Sequence, residues 1–218
     1  AAWRWGKILM QELTNCVEEY LKCHTPDFGS DPVLARVLLD ALVSSSPEGR
    51  AVSSDGSLYV YNGAVWNRIE HNTLVSMALL FDGLWLPGDK PKRLTVGLTK
   101  AQSVANTTLL IHEIRKDKFF DKVLPGIADK NGFWVIDEFG TEMLEHSPDN
   151  LCTWSYDFEI EPKSEPVKWL AFLNSLWRDD DDKESKVAAL QEWLGCCLTG
   201  RSTAYARCLL LVGKGGNG

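Results

Sequence analysis

The sequence has no apolar stretch long enough to cross a bilayer and no secretory-leader pattern, so it is read as a cytoplasmic protein without a membrane partner. It has almost no low-complexity sequence, which with 44% hydrophobic residues excludes wholesale disorder. It has no CxxC pair. The six cysteines (Cys16, Cys23, Cys152, Cys196, Cys197, Cys208) are read as small hydrophobes in a reducing compartment. Cys16, Cys23 and His24 offer three nitrogen and sulfur donors, but no partner stands at ligand spacing, so no metal is assigned. His24, His71, His112 and His146 show no triad spacing, and none is given a catalytic role. An excess of positive charge is also missing. The net charge of -7 argues against a chain whose whole surface grips a nucleic-acid backbone and confines any such contact to a local patch.

What is present is a run of short amphipathic segments. Residues 7–23 and 31–43 have helical apolar spacing, the second with Asp31 as N-cap and Pro32 at the first helical position. Leu58–Ile69 predicts a hairpin around Asn62-Gly63, with Asp55-Gly56 as the preceding turn. Residues 72–85 return to helix, 87–93 form a loop, and Thr99 caps a helix reaching about Lys118. Residues 126–146 predict a second hairpin, with turns at Asn131-Gly132 and Phe139-Gly140-Thr141. Residues 147–161 are expected to be mostly irregular or extended. Two helices come next. One starts near Ser164, with Glu165 and Pro166 in its first turn. The other has Asp181 and Glu184 at capping-box spacing and Gly200 as its C-terminal cap.

The predicted fold is α+β, mostly helical with two small hairpins, ending in the first strand of an α/β ATPase domain. The expected divisions are an amino-terminal helix and linker (1–28), an α+β accessory domain (29–164), a collar-like helical pair (165–204) and the start of the ATPase domain (205–218).

That last expectation comes from Cys208-Leu209-Leu210-Leu211-Val212, a continuous apolar run followed at once by Gly213-Lys214-Gly215-Gly216-Asn217-Gly218. A buried strand entering a glycine-rich turn is how a phosphate loop begins. Glycines let successive backbone N–H groups face phosphate oxygens. Gly213 and Gly218 hold the two glycine positions of GxxxxGK[ST], and the Lys and Ser/Thr would lie just past Gly218. The alternative reading of the same residues is a solvent-exposed glycine-rich tail on a non-enzymatic DNA-binding or adaptor module.

Leu209–Gly218 resembles the phosphate loop of superfamily-3 helicases in phage and plasmid primase–helicases, where an apolar run precedes Gly-x-Gly-Gly-Asn-Gly. Pro166-Val167-Lys168-Trp169-Leu170-Ala171-Phe172-Leu173 and Leu194-Gly195-Cys196-Cys197-Leu198-Thr199-Gly200 are similar to that family's upstream helices, and Asn131-Gly132 before a strand to its extended segment. The resemblance covers residues 131–218. It implies an accessory and oligomerisation region beside a ring motor, a hexamer in the parent. It also implies ATP and Mg²⁺ bound by the parent, forked or single-stranded DNA as its substrate, and a primase or polymerase module as partner. Without the Lys and Ser/Thr the chain alone is expected to be inactive.

Two basic clusters are candidate phosphate contacts: Lys90, Lys92 and Arg93, and Arg115, Lys116 and Lys118 with Lys122 nearby. Asp89, Asp117 and Asp121 dilute them. Trp3, Trp5, Trp66 and Trp85 are candidates for base stacking, although core packing is the commoner use of tryptophan. The acidic run Asp179–Asp182 is read as a turn between helices.

Overall fold

The computed structural model describes residues 2–137, 140–161, 163–199 and 208–210. They form a mixed α+β structure with six α-helices and three small antiparallel sheets, and no described helix is long and apolar enough to cross a membrane. The chain divides into two compact units. One is Ala1–Val123 with His146–Trp154; the other is Leu124–Glu145 with Ser155–Gly218.

In the first unit, α1 (Ala2–Cys23) and α2 (Asp31–Ser44) precede the strands β1 (Ala51–Ser54), β2 (Ser57–Tyr61) and β3 (Trp66–Ile69). Then come α3 (His71–Ala78), a 3-10 turn (Leu79–Phe81), the strands β4 (Trp85–Leu86) and β5 (Lys92–Arg93), and α4 (Leu98–Leu109). Leu13, Val17 and Leu21 of α1 share one core with Leu34, Leu38 and Leu42 of α2. The same core takes in Leu74 and Met77 of α3, Phe81, and Val104 and Ala105 of α4.

The β1–β2–β3 meander is covered on both faces, which is why β2 reads Ser-Leu-Tyr-Val-Tyr without a polar alternation. Leu58, Val60 and Ile69 point into the helical core. Val52, Tyr61 and Trp66 form a second cluster on the other face, against Tyr59, Phe119 and Phe120. Rings of Trp66 and Phe119 meet edge to face at 5.4 Å, and the indole N–H of Trp66 donates to the Pro148 carbonyl at 2.8 Å.

The turns differ from expectation in an informative way. Asp55-Gly56 is the tight two-residue turn, since Ser54 pairs with Ser57 and both central residues have positive φ (49° and 74°). Asn62-Gly63 instead lies in a four-residue loop, because Tyr61 pairs with Trp66 and the Asn62 carboxamide oxygen accepts the amides of Ala64 (2.9 Å) and Val65 (2.8 Å).

Three helix limits also move. Ser30, not Asp31, precedes α2, and the Asp31 carboxylate accepts a hydrogen bond from the Ser103 hydroxyl of α4. Gly97, not Thr99, precedes α4. That helix ends at Leu109 rather than Lys118, because the chain turns to pair beside β1. Ser53 N–H donates to Ile114 O at 2.8 Å, and Lys116 N–H to Ser53 O at 2.9 Å. The predicted helix over 72–85 likewise stops early. Trp85-Leu86 is drawn into a hairpin with Lys92-Arg93, where a loop was expected.

The second unit holds the meander β6 (Gly126–Ala128), β7 (Phe133–Asp137) and β8 (Gly140–Leu144), one strand more than a hairpin, and the helices α5 (Val167–Leu176) and α6 (Lys183–Leu198). Phe139 of the expected second turn and Gly200 of the expected helix cap lie outside the described residues. Helix α5 begins at Val167, so Glu165 and Pro166 precede it. The Asp181–Glu184 box is not formed. Asp182 precedes α6 without a side-chain cap bond, and Lys186 Nζ holds Asp180 (2.7 Å) and Asp182 (2.8 Å) instead. The acidic run is thus a turn closed by a lysine, and Lys186 holds the Asp182 carboxyl below its ordinary range.

Candidate functional site

The candidate nucleotide-binding residues Gly213, Lys214, Gly215, Gly216, Asn217 and Gly218 lie outside the described residues. Of the apolar run before them, Cys208, Leu209 and Leu210 are exposed and in neither helix nor strand, Leu210 at 80%. A buried parallel strand exists only with neighbours on both sides, and no described strand pairs with these three residues.

The helical pair upstream leaves several large apolar side chains uncovered. Phe172 and Leu176, four apart on α5, are 49% and 44% exposed. Leu194 and Leu198 repeat that spacing on α6, and Val167 and Leu209 are exposed as well. Trp169 with Gln191, Leu194, Gly195, Cys197 and Leu198 lines an open groove of about 450 Å³. Helix α6 buries none of its sixteen residues. A helix of that length draws most of its stability from packing, so its apolar face calls for a partner.

The two basic clusters are not equivalent. Lys90, Lys92 and Arg93 stand on one hairpin, exposed, and make no ion pair with any described acidic side chain. Arg93 Nε donates to Gly83 O at 3.1 Å, which fixes the guanidinium at its root. Arg115, Lys116 and Lys118 lie beyond the end of α4. There Arg115 is paired with Asp117 at 3.6 Å, and Lys116 lies 5.0 Å from the Phe119 ring centre. Arg115 and Asp117, with Ser53, Asp55 and Asn106, line a cleft of about 470 Å³ whose mixed charges suit no single ligand sign.

Of the tryptophans considered for stacking, Trp66 is buried at 3% exposure and serves the aromatic cluster. Trp85 is 61% exposed and directly opposite Arg93 across the hairpin. The side chains of Trp3 and Trp5 lie outside the described residues.

Among the described residues no group of three or more His, Cys, Asp or Glu could hold a metal ion. The His24 ring stacks on Tyr20, with Nδ1 3.1 Å from the Tyr20 carbonyl.

Sequence reasoning passed over Asp129, which is 1% exposed. Its Oδ1 accepts the amides of Asn131 (2.8 Å) and Gly132 (3.0 Å). Its Oδ2 accepts the Trp134 indole N–H (2.9 Å) and the Ile160 amide (2.7 Å). Burial opposes its charge, yet these four donors outweigh it and hold the carboxyl below its ordinary value. All four bonds are internal, so Asp129 is a structural anchor: it ties the β6–β7 loop to the segment around Ile160. The legible signal was an acid three residues before Gly132, the spacing of a side-chain-capped loop.

Compared with known proteins, the chain matches no family model and no curated protein sequence.

Proposed function

We propose that this chain is an accessory and assembly region of an ATP-dependent replicative DNA helicase of the phage or plasmid primase–helicase kind, acting in the host cytoplasm. The observation that carries the reading is the helical pair. Helices α5 and α6 leave Phe172, Leu176, Leu194 and Leu198 uncovered, and they stand shortly before the glycine-rich sequence Gly213–Gly218. An apolar surface beside a motor's first strand suits a collar through which copies of the chain gather into a ring.

In the parent, Gly213–Gly218 would hold the phosphates of ATP by backbone amides, and a following Lys and Ser/Thr would complete the loop and take Mg²⁺. Leu209 and Leu210 would then be covered by the motor's sheet.

Two experiments test this. Sedimentation velocity should show concentration-dependent self-association that Phe172→Glu and Leu198→Glu abolish while the circular dichroism spectrum is kept. A wild-type chain that stays monomeric would overturn the assembly role. Lys-Ser or Lys-Thr encoded directly after Gly218 would support the motor, and any other pair would remove it.

A further inference from the structure

We infer that the β4–β5 hairpin is a contact site for single-stranded DNA, with Trp85 stacking on a base and Lys90, Lys92 and Arg93 meeting the phosphates. The choice of DNA over RNA rests on the proposed function, while the site itself rests on the hairpin's own geometry.

The core side of the hairpin explains its shape. Leu84 and Leu94 pair through Leu94 N–H to Leu84 O at 2.8 Å, and Leu94 is buried. Leu84 and Leu86 pack on the helical core. Strand alternation then forces Trp85 and Arg93 onto the outward face, where they stand directly opposite each other. No core contact requires an indole there: 61% of Trp85 remains in solvent. Gly29 lies close under the hairpin, where an added Cβ would meet Leu94 and Leu86, and its carbonyl accepts Lys100 Nζ at 2.6 Å.

The charge lies on the same hairpin: Arg93 shares the face of Trp85, while Lys92, opposite Leu86, stands on the other side of its strand. On a chain of net charge -7, three cations lie within four residues with no described acidic partner, whereas Arg115 is already paired with Asp117. Arg93 is held through Nε, which leaves its two terminal nitrogens for a phosphate fork. An indole can lie on a base only where that base is unstacked, so the pairing of exposed ring and free cations selects a single strand over a duplex. An acidic protein would satisfy the cations but gives no role to the outward indole opposite Arg93.

The test is fluorescence anisotropy of the chain with labelled oligo(dT), oligo(U) and a duplex across a salt series. Oligo(dT) should bind at low salt and more tightly than the duplex. Trp85→Ala should weaken oligo(dT) binding by roughly fivefold to a hundredfold, the range for one lost base–aromatic stack. Lys90→Ala with Lys92→Ala, which leaves the Arg93–Gly83 bond in place, should lower the slope of log K against log salt by about 1.4. Both positions are exposed, so unchanged melting curves should accompany these losses.

The inference fails if wild-type chain does not bind oligo(dT), if it binds only oligo(U) or only the duplex, or if Trp85→Ala binds within twofold of wild type. It also fails if Arg115→Ala with Lys116→Ala reproduces the loss, which would move the contact to the other cluster. If Trp85→Ala changes only the sedimentation coefficient, the surface is a protein interface. The DNA-binding outcomes leave the α5–α6 assembly test untouched, because that test reads the effect of Phe172→Glu and Leu198→Glu on self-association without DNA.

Discussion

Replacing Asp129 should cost the second unit more stability than any other single polar change there. The carboxylate is buried and accepts four hydrogen bonds, two from loop amides, one from an indole and one from the Ile160 amide. Asp129→Asn retains one oxygen for two donors but sets its NH₂ against the other pair. Losing two bonds to a charged acceptor, with buried donors left unpaired, costs about 2–4 kcal/mol. Asp129→Ala unpairs all four donors and should cost about 3–5 kcal/mol. The assay is urea unfolding followed by near-ultraviolet circular dichroism, which senses Trp134, at several pH values.

The pH dependence comes from the sign of the shift. The folded carboxyl sits below its ordinary value of 3.8, so its contribution is present above that value and is lost as pH falls through the folded pKa. The wild-type chain should therefore lose stability on acidification below about pH 4, and both variants should show a shallower loss over that window. If Asp129→Ala unfolds at the wild-type urea midpoint, or keeps the wild-type acid dependence, the four bonds are not what holds the loop.

Three other outcomes are expected. Gly132→Ala should destabilise the β6–β8 meander by about 1–3 kcal/mol in the same unfolding assay, because the added Cβ would sit 2.4 Å from the Leu144 carbonyl oxygen, a backbone atom. Tyr61→Phe should leave the unfolding midpoint equal or raise it, since the buried Tyr61 hydroxyl has no hydrogen-bond partner among the described residues and burial pushes its pKa up to about 12, with Glu48 adding to the shift; a drop above about 1 kcal/mol would mean that the hydroxyl is bonded. Cys16, Cys23, Cys196, Cys197 and Cys208 are free thiols, so reducing agent should not move the melting temperature. Ellman's reagent should label the exposed Cys16, Cys23, Cys197 and Cys208 in the native chain well before Cys152, which is buried with its thiol 3.0 Å from the Trp154 carbonyl.

The sequence by itself determined the α+β class, the places of the six helices though not all of their ends, and a hairpin within each of the two larger sheets. These rest on local physics. Apolar residues at helical spacing in α2 can bury one face only as a helix, and Asp55-Gly56 supplies the positive φ values that a two-residue turn needs. Tertiary structure decided what depends on neighbours distant in the chain. Helix α4 ends at Leu109 because the edge of β1 offers Ser53 as a backbone partner to residues 114–116, and no propensity within 99–118 encodes that edge. Trp85 leaves the helical pattern because Leu84 and Leu94 must both reach the core, and closing them into a hairpin turns Trp85 and Arg93 outward together. Asp129 reads as an ordinary loop acid until Ile160, thirty-one residues on, completes its shell of donors. A pattern of apolar residues reports which side chains need cover. Which surfaces provide that cover, and which side chains are consequently left in solvent to bind something else, is settled only when the elements pack.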